Sequence, residues 1–231
     1  MRLRNVSITI GIFILLIAFN RAYDQVRSDE QINIIQLASY QNESSLLGLP
    51  VRVKLKVLLQ GCYSVNDGQM STFLNSGSYL PLSSPYCEDQ RTVSSIPSNI
   101  TDWVLVQLHS SFDGAPVASQ SAFLRQDGYI VADDGTTNIL VTAPPGNYYV
   151  AVVHRNHLTI VTNSAIALNS DTAALYDFTN SIAKCYGING LVELEPGIWG
   201  MWAGDINHDG IVTTRDYKIW FKSYRTGTTG Y

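Results

Sequence analysis

The sequence predicts an all-β protein, an antiparallel β-sandwich of the Ig-like or jelly-roll type with a loop and short helix at its C-terminus. Three observations carry this. Val51 to Gln60 alternates apolar and polar residues, with Val51, Val53, Leu55, Val57 and Leu59 on one face and Arg52, Lys54 and Lys56 on the other. That is the period of a half-buried strand with one wet side. From Trp103 onward, short apolar segments follow one another at close spacing, separated by Gly, Asp and Pro turns. This is the pattern of a sandwich or barrel. The chain has 231 residues, 45% hydrophobic and 15% charged, enough for a sizeable core and too apolar for a disordered chain.

The expected order begins with residues 1–22 as a secretory signal. Arg2 and Arg4 precede a short apolar run from Val6 to Phe19, and Ala22 is a cleavage position. The run is short for a bilayer span, so the mature chain is expected to carry none and to reside outside the cytoplasmic membrane, at the cell surface or secreted. Residues 23–50 form an N-terminal strand and linker. Ile32, Ile34, Ile35 and Leu37 lie in an apolar extended segment, Ile32 to Ala38, followed by a polar stretch. Two placements are open for it. It packs as an edge strand of its own sheet, or it inserts into a neighbouring copy by strand addition; the linker reaches either.

Residues 51–185 form the sandwich. Within them, 61–101 is rich in Gly, Ser, Pro, Asn and Tyr and reads as a long structured loop with a short helix at Met70 to Leu74. Strands are expected at Trp103–His109, Val117–Arg125, Tyr129–Ala132, Asn138–Ala143, Tyr148–His154, Leu158–Val161, Ala165–Leu168 and Ala174–Phe178. Residues 186–231 form a separate C-terminal segment. There Trp199 and Trp202 are expected to pin the following loop to the sandwich, and Thr213 or Thr214 caps a helix running to about Ser223 with Tyr217, Trp220, Phe221 and Tyr224 on one face.

The loop itself is the most specific signal. Asp205, Asn207, Asp209, Thr213 and Asp216 place oxygen side chains at positions 1, 3, 5, 9 and 12, Gly210 stands at the sharp turn of position 6, and Ile211 offers its carbonyl at position 7. Ca²⁺ takes six to eight hard oxygen ligands, and this spacing supplies them from one short segment. The Ile211 side chain is expected to point into the fold. With Asp rather than Glu at position 12 and no entering helix, the loop resembles the calcium loop of dockerin modules, although one loop is present where dockerins carry two.

Other chemistry is sparse. Net charge is −4 with no basic cluster in the mature region, which excludes a nucleic-acid binder. Three cysteines suit an oxidising compartment; Cys62 and Cys87 are the expected disulfide, leaving Cys185. Asn42 and Asn99 head N-glycosylation sequons. His154-Arg155-Asn156-His157 is the one constellation suggestive of catalysis or a transition metal. Histidines three apart on a strand face opposite ways unless the chain turns between them, so a structural role is favoured. No nucleophile motif occurs, and an enzyme is not expected.

The segments Leu58-Leu-Gln-Gly-Cys-Tyr63, Leu80-Pro-Leu82, Ile100-Thr-Asp-Trp-Val-Leu-Val106, Asp127-Gly-Tyr-Ile-Val-Ala-Asp-Asp-Gly135, Tyr148-Tyr-Val-Ala-Val-Val-His-Arg-Asn-His157, Tyr176-Asp-Phe178 and Trp199-Gly-Met-Trp-Ala-Gly-Asp205 together resemble a group of secreted bacterial surface proteins of hemagglutinin or dockerin type, common in Bacteroidetes-like genomes. The resemblance covers most of 51–231 and implies an extracellular β-rich domain fused to one dockerin-like calcium loop. Taken with the residues, the expectation is a secreted, calcium-stabilised subunit of a fibre or surface appendage whose partners are copies of itself. A cell-surface adhesin recognising glycans is the alternative.

Overall fold

The computed structural model describes residues 50–227, together with Gln25, Arg27, Gln31 and Ile32. The chain divides into two compact units, Met1–Leu47 and Gly48–Tyr231. In the first, the described residues are helical and exposed. This corrects the extended strand expected from Ile32. A branched residue's strand preference depends on its packing against neighbouring strands and does not by itself fix an extended backbone. Ile34, Ile35, Leu37 and Asn42 lie outside the described residues, as does the expected signal segment.

The second unit is an all-β sandwich. One sheet runs β10 (Ile166–Leu168), β8 (Gly146–His154), β4 (Ile100–His109), β5 (Pro116–Arg125), β6 (Tyr129–Val131), β1 (Val51–Lys56) and β11 (Leu175–Asp177). β7 (Ile139–Val141) adds to β1, and β9 (His157–Val161) to β8. Every pairing is antiparallel except β1 with β11. The sheet curls back on itself, and the Arg52 N–H donates to the Asn169 carbonyl just beyond β10 (2.8 Å). Its main core therefore lies between facing parts of one sheet: Val51, Val53 and Leu55 of β1 pack in one cluster with Val104, Val106 and Leu108 of β4 and Val150 and Val152 of β8.

β4 is the centre because it is buried on both faces, which explains its apolar run Trp103–Val106. Its other residues, Trp103 and Leu105, join Phe123 in a second cluster covered by Leu80, Tyr86, Val93 and Ile96. The Gly- and Pro-rich stretch 61–101 is thus a lid over the sheet. It contains the hairpin β2 (Tyr63–Ser64) and β3 (Gln69–Met70) and a one-turn helix, Phe73–Ser76, three residues later than expected. Trp103 anchors the lid by donating its indole N–H to the Pro81 carbonyl (2.9 Å).

The two cysteines of this stretch lie against different clusters. Cys62 packs against the main core, whereas Cys87 follows Tyr86 of the second cluster and is exposed. All three thiols are free, which corrects the expected Cys62–Cys87 bridge. After β11 the chain forms a hairpin, β12 (Val192–Glu195) with β13 (Ile198–Gly200), and ends in a helix, Thr214–Thr226.

Candidate functional site

The path to the loop starts at Gln60, just after β1. Its main-chain N–H donates to Met201 O (3.1 Å), and its side-chain oxygen accepts from Ala203 N–H (3.0 Å). The Leu158 N–H donates to Trp202 O and the Gly204 N–H to Asn156 O, both at 2.8 Å. Trp199 packs against the main core, and Trp202 donates its indole N–H to Asn189 O (3.0 Å). Residue 205 is therefore held at the sandwich by bonds to two separate segments, the turn at Gln60 and the β8–β9 hairpin.

Within the loop, His208 and Gly210 have φ of 57° and 80°. Asp205 and Asp216 are each 2% exposed. The Gly210 N–H donates to Asp205 Oδ2 (3.1 Å), the Asp209 N–H to Asn207 Oδ1 (3.1 Å) and the Ile211 N–H to Asp209 Oδ1 (3.2 Å). Asp216 closes the ring. Its Oδ1 accepts from the main-chain N–H of Ile206 (3.0 Å) and Asn207 (3.2 Å), and its Oδ2 from Thr213 N–H (2.8 Å) and Oγ1 (3.2 Å). These bonds, Thr213's first, hold the Asp216 carboxyl below the usual carboxylate range. Thr213 in turn accepts from Arg215 N–H, which completes a capping box on the terminal helix.

Asp216 thus acts as a helix cap and loop clasp, a role that the ligand spacing alone did not reveal. Ile211 is 63% exposed, which corrects the expected inward side chain: the turn at Gly210 carries residue 211 onto the outer rim. Among the described residues, no three His, Cys, Asp or Glu side chains are gathered as a ready-made metal cluster. One buried side-chain oxygen in the loop lacks a partner: Asp205 Oδ1 makes no hydrogen bond. Buried carboxylate oxygens are almost always satisfied. The donor set, carboxylates, an amide oxygen, a hydroxyl and a carbonyl, is all oxygen and suits a hard cation such as Ca²⁺.

Next to the loop entry lies the segment His154-Arg155-Asn156-His157. Arg155 and Asn156 form a two-residue turn between β8 and β9, so His154 and His157 stand directly opposite each other in the ladder. The turn brings both imidazoles to one face, 2.9 Å apart through their Nδ1 atoms. His157 Nε2 lies 3.0 Å from Gln60 O; a carbonyl only accepts, so Nε2 carries the proton. Burial, then His154, lowers the His157 pKa to about 3, so the ring is neutral, and its Nδ1 faces a His154 Nδ1 that accepts the Asn156 N–H (3.3 Å). Asp102 sits behind the pair, receiving Arg155 Nη2 at 2.8 Å and the Trp103 N–H at 2.7 Å, with His154 Nε2 at 3.3 Å.

Both ring nitrogens of His157 are engaged, and burial pushes the Cys62 thiol up to about 11. Neither offers a free base or a nucleophile. The cluster instead fixes the hairpin that receives Gly204. Asn99 is half-buried with its carbonyl bound to Gln126 N–H, and Thr101 of its sequon is 2% exposed in β4. No family model, curated protein or solved structure matches the chain, so the fold and this site carry the functional argument.

Proposed function

We propose that the protein is an exported, non-enzymatic structural subunit, a β-sandwich whose 205–216 loop binds one Ca²⁺ and whose copies assemble into an extracellular fibre or appendage. The observation that carries the calcium reading is Asp205 Oδ1, a buried carboxylate oxygen without a donor inside an all-oxygen loop. Asp205, Asn207, Asp209, Thr213 and the Ile211 carbonyl would hold the ion, with Asp216 joining them by exchanging some of its four hydrogen bonds; the ion when bound supplies positive charge to the loop's carboxylates. The chain's own residues do the rest. Gln60 and Asn156 tether the loop's entry, while Asp216 and Thr213 join its exit to the helix.

Calcium titration followed by calorimetry and thermal melting tests this. Binding only to the folded chain adds about 2.7 kcal/mol at one hundred times the dissociation constant. Calcium is expected to raise the melting temperature of the wild type and not that of Asp205→Asn. Equal calcium responses in both would overturn the site. Deleting residues 23–40 and imaging the product separates strand exchange from other assembly routes.

A second reading, a glycan-binding adhesin, draws on a cleft of about 520 Å³ lined by Leu74, Arg155, Asn156, Trp220 and Tyr224. Aromatic faces beside amide and guanidinium donors suit sugars. A glycan array with the Trp220→Ala chain as control tests it; equal signals would remove this reading.

A further inference from the structure

The terminal helix carries two stripes that stay largely open, although Trp220 and Tyr224 also border the cleft at Leu74 and Arg155. Tyr217, Trp220, Phe221 and Tyr224 follow i, i+3, i+4, i+7 spacing and share one face. Arg215, Lys218, Lys222 and Arg225 line a second. Asp216 is the helix's buried residue and Ser223 is half-buried, so the helix leans on the body along that line. The four aromatics remain 57, 49, 40 and 71% exposed. They stack on one another, Tyr217 on Phe221 and Trp220 on Tyr224. An aromatic side chain buries 150–250 Å² when covered, so on the order of 400 Å² stays open here. That is about half of one partner's share of a standard interface, roughly 800 Å². Apolar stripes of this size mark contact surfaces.

Charge indicates what the surface contacts. Residues 48–213 hold seven Lys and Arg against fourteen Asp and Glu, a net of −7, whereas the helix has four cations against the one buried carboxylate of Asp216. The body's loops offer a matching patch. Asp89 and Asp133 flank Arg91, with Glu88 and Asp134 exposed nearby in sequence. Leu82, 47% exposed, sits on the same loop ladder, where Val93 N–H donates to its carbonyl and Ser83 pairs with Thr92. Carboxylates beside an exposed leucine complement cations beside aromatics.

We infer that the aromatic and basic face of the C-terminal helix docks on the loop cluster of Leu82, Glu88, Asp133 and Asp134 in a second copy of the chain. This rests on the self-assembling reading and names its contact. The aromatics supply the area, and the cations set orientation and association rate, so the contact weakens with salt.

Sedimentation velocity on the full chain in calcium tests it. The wild type is expected to associate, and to do so less in high salt. K218E/K222E alone and E88K/D133K alone each lose association at least tenfold, because each then opposes like charges. Mixed one to one, the two regain it, since each supplies what the other lacks. Far-UV circular dichroism and melting confirm that both variants fold; because Asp133 pairs with Arg91, E88K alone serves as the milder variant. If both double variants associate as the wild type does, the contact is overturned while self-assembly stands. A wild type that stays monomeric overturns both. A monomeric wild type that instead sediments with phosphatidylserine vesicles assigns the helix face to a membrane surface and likewise overturns the contact.

Discussion

Acid is expected to destabilise the sandwich through His157. The ring is 4% exposed and neutral, with its pKa lowered to about 3 by burial and the neighbouring His154, against an ordinary value of 6.5. In the unfolded chain the imidazole takes up a proton as pH falls through 6.5, while the folded chain refuses it until about 3. A lowered histidine pKa therefore contributes stability that is present above the unfolded value and erodes below it, at about 1.4 kcal/mol per pH unit. Between pH 7 and pH 4.5 this one group removes about 2.5 kcal/mol. Urea melts of the wild type and of His157→Gln, which can still donate to Gln60 O, isolate the effect from the carboxylates common to both. The variant is expected to be less stable than the wild type at neutral pH but to lose about 2.5 kcal/mol less on acidification. Equal losses in the two proteins would refute the assignment of a neutral, proton-refusing ring.

Trp103→Ala is expected to cost about 3–5 kcal/mol in chemical denaturation. The indole is fully buried, packs on Phe123 at 4.0 Å and ties the lid at Pro81. Thr213→Ala removes the cap of a helix with little other attachment, so it is expected to cost about 1 kcal/mol locally. Amide exchange in residues 214–226 speeds up while the melting temperature of the body stays put. Thiol labelling under native conditions modifies Cys87 first, because it is exposed; Cys62, with its pKa raised to about 11, and buried Cys185 react only on unfolding. Electrophoresis with and without reductant should show no shift.

The strands were legible because period and turn chemistry agreed. Asp127-Gly128 marked the β5–β6 turn, and the alternation at Val51 to Lys56 marked β1. Burial of β4 on both faces was legible only in the four apolar residues Trp103–Val106, since nothing in the lid's Gly and Pro content announces that Leu80 and Tyr86 cover a sheet. At the site, the spacing of acidic and amide residues pointed to one loop. It did not reveal that main-chain N–H groups occupy both oxygens of Asp216, because those donors belong to every residue and leave no mark in sequence. The facing histidines depended on a two-residue turn at Arg155 and Asn156, a pair without the glycine that usually announces one. Cys62 and Cys87 were paired on loop position, and the sheet between their two clusters keeps them apart.

Strand β1 sits mid-sheet, yet its neighbours β6, β7 and β11 arrive roughly 75 to 120 residues later in the chain. A polypeptide emerging from its N-terminus first must carry this valine- and leucine-rich segment unpaired until residue 131 has appeared, and with one edge open until residue 177 has. Long-range pairing of this kind slows folding and leaves an adhesive edge open in the meantime. Arg52, Lys54 and Lys56, spaced along the segment's other side, are suited to repel nascent siblings during that wait. Neutralising them would burden biogenesis, measured as yield and inclusion-body content, more than it would burden the finished molecule.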